Sequence, residues 1–400
     1  MTDTRAPFGA PFDAPLDEVA AEAARAVADL DLAEAVSAFG ELNRLSRRAM
    51  LSAVLSAVSR RASATRDSGA PTDPEPTTVD AVTEALRPAP GREPLPGRWL
   101  RALAEEGLVA LDGERVRFPR GLDGTDPAGD EPAWERLAER WRAVTDSAAT
   151  VEYVHDNVRH LLPLLRGETP ALLTLFPEGR DERARTLYRE NVVTRYGNAA
   201  LGAVATRLAT GRERRSPLRL LEVGGGTAGT THALLPRLAR LPVDYTFSDV
   251  SPFFFDRVLT EYAAVLGPDR FHTLTFDLNR APDEQGLAPG SFDLIVSGGA
   301  LNAAVDTDAA LRRLRRLLSP GGVLAVTEPT HDEDWVAVSQ ALLMPPPKDV
   351  RARTGAAFLD HPQWRAAWED AGLLLVTDLP EPHHPLHPLG HRVFVGVADA

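Results

Sequence analysis

An apolar run, Leu218-Arg219-Leu220-Leu221-Glu222-Val223, ends at a glycine-rich turn, Gly224-Gly225-Gly226-Thr227-Ala228-Gly229. A helical pattern through Leu234, Leu235 and Leu238 takes over from it. No other stretch limits the fold so strongly. Strand, glycine turn and helix open a nucleotide-binding α/β unit, in which glycines without Cβ let the backbone turn tightly and a ligand approach it. Gly224, Gly226 and Gly229 have the G-x-G-x-x-G spacing. Asp249 lies about 20 residues on, where a ribose-binding acid belongs.

Downstream, residues 218–223, 243–247, 271–275, 292–296, 323–327, 373–379 and 392–397 read as strands, with helical patterns in the gaps. Alternating β and α predicts a parallel, doubly wound sheet with its ligand at the carboxyl ends of the strands. The last two runs flank a loop of prolines and histidines at 380–391, which predicts an antiparallel hairpin at the sheet edge.

The upstream half reads as mainly helical. Residues 1–15 are rich in Pro, Gly and Ala and are expected to be loose. Residues 16–62 carry helical periodicity, 64–76 form a polar loop, and Thr77-Thr78-Val79-Asp80 starts a helix. A helix closed at Gly107, then a hairpin turning at Asp112-Gly113, make a winged-helix-like unit. A Gly/Asp/Pro linker at 121–131 precedes a helix with Trp134, Leu137 and Trp141 on one face. His155 and His160 read as packing or surface residues, and residues 187–208 as one helix leading into the sheet. The expected division is a loose segment (1–15), a capping or dimerisation domain (16–150), connecting helices over the ligand site (151–215) and a Rossmann-like domain (216–400).

Charge narrows the partners. Arg98 and Arg101 stand against Glu105 and Glu106, and the net charge is −13, so no nucleic-acid partner is expected. With no cysteine, the chain has no disulfide, thiolate zinc site or cysteine nucleophile. The first residues lack a basic and an apolar signal region, and no apolar run approaches roughly 18 residues. A cytoplasmic protein with no membrane partner is the expectation.

The glycine turn alone suits a nicotinamide dinucleotide or S-adenosylmethionine (SAM). Three later segments bear on the choice: Thr275-Phe276-Asp277-Leu278, Ser291-Phe292-Asp293-Leu294-Ile295-Val296-Ser297, and Leu317-Leu318-Ser319-Pro320-Gly321-Gly322-Val323-Leu324. Together with the turn they resemble the motif series of class I SAM-dependent methyltransferases. The resemblance implies a seven-stranded sheet of order 3-2-1-4-5-7-6. It implies that Glu222, Gly224 and Gly226 sit by the methionine part of SAM, Asp249 by the ribose hydroxyls, and Asp277 with Leu278 by the adenine. Thr227, Val250, Ser297 and the upstream Tyr188 and Tyr196 complete the expected cofactor set. One departure is Ala228, where the family often has glycine.

Leu165-Arg166-Gly167-Glu168, Leu175-Phe176-Pro177-Glu178-Gly179 and Leu187-Tyr188-Arg189-Glu190-Asn191 resemble, more narrowly, methyltransferase domains embedded in nonribosomal peptide and polyketide synthases. So do Tyr245-Thr246-Phe247-Ser248-Asp249, Ser339-Gln340-Ala341 and Phe358-Leu359-Asp360. This implies SAM-dependent methylation of a small-molecule or carrier-bound natural-product intermediate, preferably at carbon. Methylation at oxygen or nitrogen, or a non-methylating cyclisation or elimination, are the alternatives, with a homodimer as a candidate assembly.

Many such relatives carry a His–Glu pair after the fourth and fifth strands. The corresponding stretch here is Ala300-Leu301-Asn302-Ala303-Ala304, and the acid is kept in Thr327-Glu328-Pro329. Asn302 donates and accepts hydrogen bonds but is no base near neutral pH. The catalytic candidates are therefore Glu328, Asn302 and His331. The His383, His384, His387, His391 run is interspersed with prolines and reads as a loop, and no metal site is expected.

Overall fold

The computed structural model describes residues 17–64, 77–119, 130–189 and 191–399. Residues 1–15, expected to be loose, nearly all of 64–76, read as a polar loop, and most of 121–131, read as a linker, fall outside the described residues. The chain forms two compact units. One comprises residues up to Leu30, then Tyr188–Thr330 and Leu359–Ala400; the other comprises Asp31–Leu187 and His331–Phe358.

The first unit is built on seven strands: β1 (Leu218–Val223), β2 (Val243–Asp249), β3 (Phe271–Thr275), β4 (Phe292–Gly298), β5 (Leu318–Pro329), β6 (Leu373–Leu379) and β7 (His391–Ala398). Their order is β3-β2-β1-β4-β5-β7-β6, as the resemblance implied. Strands β1 to β5 pair in parallel, and β7 runs antiparallel between β5 and β6. In register, Glu222 faces Phe247 and Val296 while Gly298 faces Thr327. The carboxyl ends of β1, β2, β4 and β5 therefore share one rim of the sheet. Leu218, Leu220, Leu221, Leu294, Ile295 and Val296 are all buried, as in a parallel sheet covered on both faces. Strand β5 begins five residues before its predicted start. Leu318 pairs with Phe292, and the register shifts before pairing resumes at Val323, so the Pro-Gly-Gly turn lies within the strand as an irregularity.

Helices Asp17–Arg25 and Val192–Ala209 pack together in this unit. Arg195 Nη2 donates to Ala26 O at 2.7 Å and Arg237 Nη1 to Glu22 Oε2 at 3.1 Å. Two helical stretches read as continuous are broken. The first is interrupted between Arg25 and Leu32, where the Asp31 carboxylate accepts from the Glu34 amide and starts a new helix. The second ends at Arg189, and Asn191 caps its successor by accepting from the Val193 amide at 3.0 Å.

The second unit gathers helices Leu32–Ala64, Val79–Leu86, Pro94–Glu105, Glu131–Thr145 and Ala149–Arg159. The expected hairpin is present as Ala110–Asp112 against Arg115–Arg117, and Thr77–Thr78 adds a third strand before Thr78 caps the next helix. Arg98 and Arg101 donate to the backbone carbonyls of Ala356 and Gly355, at 2.8 and 2.9 Å. Trp134 stacks on His155, ring centroids 4.7 Å apart. The expected division followed chain order, whereas the compact units do not. Residues 331–358 return to the second unit because Asn43 Nδ2 donates to Glu333 (2.6 Å), Arg47 to Asp334 (2.7 Å) and Trp99 Nε1 to Ala337 O (3.1 Å). Residues 151–187 pack there too, so the connecting segment is split at Leu187. Among the described residues, no helix is long and apolar enough to cross a membrane.

Candidate functional site

The ends of β1 and β2 hold the glycine turn by its backbone. The Gly225 amide donates to Ser248 O at 2.8 Å, and Ser248 Oγ returns a bond to Glu222 O at 2.6 Å. The next amide, of Gly226, donates to Asp249 Oδ2 at 2.9 Å, while Asp249 Oδ1 accepts from the Ser251 amide at 2.9 Å. Asp249 is thus fixed with its carboxylate against the turn. Burial raises its pKa, opposed by the amides of Ser251, Gly226 and Val250. Gly224 has φ +67°, and a Cβ there would collide with that of Ala300 in the loop after β4. Ala228 is left-handed at φ +64°, a conformation in which glycine is unstrained, so the departure from the family pattern carries a small backbone cost.

Glu222 braces this turn from inside the core. Its Oε1 accepts from the Thr231 amide at 3.2 Å; its Oε2 accepts from the Thr231 hydroxyl and from Tyr245 OH at 2.7 Å. The expected place beside the cofactor therefore becomes a supporting one: the carboxyl joins β1, β2 and the helix Gly229–Leu238. Burial pushes its pKa up to about 7. Between pH about 4.5 and 7 the folded protein keeps a proton that the unfolded chain releases, so stability falls as pH rises through that window. Glu222→Gln removes this proton. Relative to wild type, its unfolding free energy is expected to rise by up to about 3 kcal/mol from pH 4.5 to 7.5. Urea titrations across that range check it, and parallel curves for the two proteins would refute it.

Two hydroxyls at this rim, Thr227 Oγ1 and Ser297 Oγ, are buried with no hydrogen-bond partner among the described residues. Buried polar atoms are almost always paired, so these point to a ligand with polar atoms of its own. Next to them, Thr230 Oγ1 donates to Asn198 Oδ1 at 2.9 Å. The loop after β3 docks on the same rim, since the Phe276 amide donates to Asp249 O at 3.0 Å. Gln285 clasps Asp277 through both backbone groups, at 2.7 and 3.0 Å, and Arg313 donates to Leu278 O. Val250 and Phe253 stand 64% and 65% exposed beside Asp249, an apolar surface next to the acid. Phe253 was not singled out in the sequence, although Pro252-Phe253-Phe254 directly after a strand was its signal.

The two tyrosines differ. The Tyr188 carbonyl lies 2.8 Å from where a Cβ on Gly229 would sit, so the chain passes directly over the turn. Tyr196 is buried with its ring tilted against His384 at 4.9 Å, and burial pushes its phenol up to about 12. Its ring is taken up by packing on the β6–β7 loop. Among the described residues, no group of three or more His, Asp or Glu side chains is arranged to hold a metal ion.

Of the three catalytic candidates, Glu328 and Asn302 meet each other, and His331 does not join them. Glu328, fully buried near the end of β5, accepts from the Leu301 amide (2.8 Å) and, through Oε2, from the Asn302 amide (3.1 Å) and Asn302 Nδ2 (2.9 Å). Asn302 Nδ2 also donates to Gly299 O at 2.8 Å. His331 belongs to the second unit, where its Nε2 meets Glu333 at 3.0 Å and that carboxylate raises its pKa.

Comparison with known proteins agrees with this geometry. Residues 221–324 match the model of the methyltransferase domain family. The chain is 33% identical over 328 residues to pyochelin synthetase PchF of Pseudomonas aeruginosa, an alignment covering 80% of this chain and 18% of that protein. It is 30% identical over 328 residues to polyketide synthase ThaG of Burkholderia thailandensis, covering 80% and 6%. The aligned region is thus less than a fifth of either relative. Among solved structures, the CurJ carbon methyltransferase shares the fold with a TM-score of 0.83 at 24% identity, covering 96% of this chain and 98% of that one. A turn anchored on Asp249, the sheet order β3-β2-β1-β4-β5-β7-β6, and the family match from β1 into β5 lead to one conclusion: this chain carries a methyltransferase domain with the class I fold.

Proposed function

We propose that this protein transfers the SAM methyl group to a small-molecule or carrier-bound natural-product intermediate, with carbon as the acceptor atom. The relatives are synthases in which the matching segment is one part among several, and a carbon methyltransferase shares the fold across nearly the whole chain. The likeness to that carbon methyltransferase carries the choice of carbon, and the Glu328–Asn302 pair, on the same sheet rim as the glycine turn, limits which carbon it is. When bound, SAM supplies an electrophilic methyl on a sulfonium sulfur, and the protein's task is orientation and water exclusion. Glu328 holds the Asn302 carboxamide, which orients the acceptor by hydrogen bonding. Neither group is arranged to pull a proton from an unactivated carbon: Asn302 is not basic, and Glu328 already accepts three hydrogen bonds. The acceptor is therefore a carbon acidic enough to ionise readily, such as one between two carbonyls.

The same feature favours a second reading, an oxygen or nitrogen acceptor, which needs less help in losing its proton. Incubation with methyl-labelled SAM and a panel of β-ketoacyl thioesters, phenols and secondary amines decides between them. Label at carbon of a β-ketoacyl thioester is expected. Label at a heteroatom supports the second reading, and an altered acceptor without label sinks methylation in favour of a cyclisation or elimination. Presenting the thioester on an acyl carrier protein and as a small thiol ester tests carrier dependence. Sedimentation of the full chain tests the proposed homodimer.

A further inference from the structure

Arg189 lies at the last turn of the helix Glu182–Arg189, beside the glycine turn. Its Nη2 donates to Tyr262 OH at 2.9 Å and lies 3.6 Å from Glu261 Oε1. Tyr262 OH is also 3.1 Å from His232 Nδ1. Tyr262 and Glu261 come from the helix Phe255–Leu266, and His232 from Gly229–Leu238, so groups of both helices fix the guanidinium. From that position Nη2 reaches the Thr227 carbonyl at 3.4 Å. The neighbouring Tyr188 carbonyl meets Gly229 two residues further along the turn.

Thr227 carries the buried hydroxyl that has no partner among the described residues, and it is only 4% exposed. A threonine hydroxyl is set by one side-chain torsion once its backbone is fixed, and β-branching narrows that torsion further. The direction of Oγ1 therefore follows from how the peptide after Thr227 is held. The Gly225 and Gly226 amides are bonded to Ser248 and Asp249, and the Thr227 carbonyl is bonded to Arg189.

We propose that Arg189 is a positioning residue for the cofactor: by holding the Thr227 carbonyl it aims the Thr227 hydroxyl at a polar atom of bound SAM. The assignment rests on the glycine turn being the SAM site. Arg189 acts through Thr227, so its effect disappears once that hydroxyl is removed. This separates it from a merely structural role, whose effect would be independent of Thr227.

The test is calorimetric titration of SAM into wild type, Arg189→Ala, Thr227→Ala and the double variant, with steady-state kinetics on whichever acceptor the label assay finds. Arg189→Ala and Thr227→Ala are each expected to weaken SAM binding about tenfold, and the double variant no more than the weaker-binding single one. KM for SAM should rise with kcat changed less than about twofold, and Arg189→Lys should recover part of the loss. Should Arg189→Ala not fold, Tyr262→Phe removes the hydroxyl that fixes the guanidinium and is expected to weaken SAM about threefold. Losses that multiply in the double variant, or unchanged SAM affinity in Arg189→Ala or Tyr262→Phe, overturn the proposal. Failure of wild type to bind SAM would instead overturn the cofactor reading beneath it.

Discussion

Replacing Gly225 with alanine is expected to cost about 3 kcal/mol of folding stability and to weaken SAM binding at least tenfold, whereas Gly226→Ala costs about 1–2 kcal/mol in the cofactor-free protein, from its left-handed backbone alone. In the G-x-G-x-x-G spacing Gly225 is a variable position, yet it is the crowded one. A Cβ there would sit 2.6 Å from Phe247 Cζ and 2.7 Å from Cδ2, well inside van der Waals contact. Phe247 has nowhere to go: it is fully buried on β2 and packs edge-on to Phe255. The turn must move instead, which strains the Gly225–Ser248 bond and with it the Gly226–Asp249 bond. By contrast, a Cβ on Gly226 would meet its nearest neighbours at 3.9 and 4.0 Å, and its φ of +50° is strained but reachable for alanine. Urea unfolding of the two variants without cofactor compares them directly. A larger loss in Gly226→Ala than in Gly225→Ala would mean that the turn is not packed rigidly on Phe247.

Glu328→Ala should lower stability by about 4 kcal/mol and methyl transfer by at least a hundredfold. The side chain is fully buried, and its removal leaves the Leu301 amide, the Asn302 amide and Asn302 Nδ2 without their carboxylate acceptor. Unsatisfied buried donors cost roughly 1–3 kcal/mol each, partly offset when water enters the cavity. The loop after β4 would also lose its register, and Asn302 the orientation proposed for it. Glu328→Gln keeps one oxygen and is expected to lose about half as much stability. Unfolding curves and the label assay are read together. A Glu328→Ala protein that is as stable as wild type and fully active would remove Glu328 from the site.

The strands were legible because each is a short apolar run bounded by polar or glycine residues, and the sheet order followed once the motif series was identified. What pattern could not show was the role of groups that look alike in one dimension. Glu222 and Asp249 both end strands beside the turn, but one is a brace in the core and the other faces the turn's amides. Asp31 and Asn191 each break a stretch of helical periodicity by capping, because a single local hydrogen bond outweighs the modest propensity of the residues around it. The return of residues 331–358 to the second unit depends on Asn43 meeting Glu333 across 290 positions, and no local signal marks a contact of that separation. The Arg189 cluster is equally non-local: its members come from three helices and from the turn.

Strand β7 has one more consequence. Of the seven strands it leaves the ribosome last, yet it lies inside the sheet, with His391 opposite Pro329 and Arg392 opposite Glu328 on one side and β6 on the other. Until His391–Ala398 has been synthesised, β5 presents a bare edge along the segment that carries Glu328, and β6 has no strand to join. The segment that carries Glu328 thus gains its second strand partner only once β7 has been made, while the glycine turn, on β1 and β2, has its strand partners much earlier. During that interval the nascent chain exposes an apolar β edge that chaperones, or another nascent copy, would recognise.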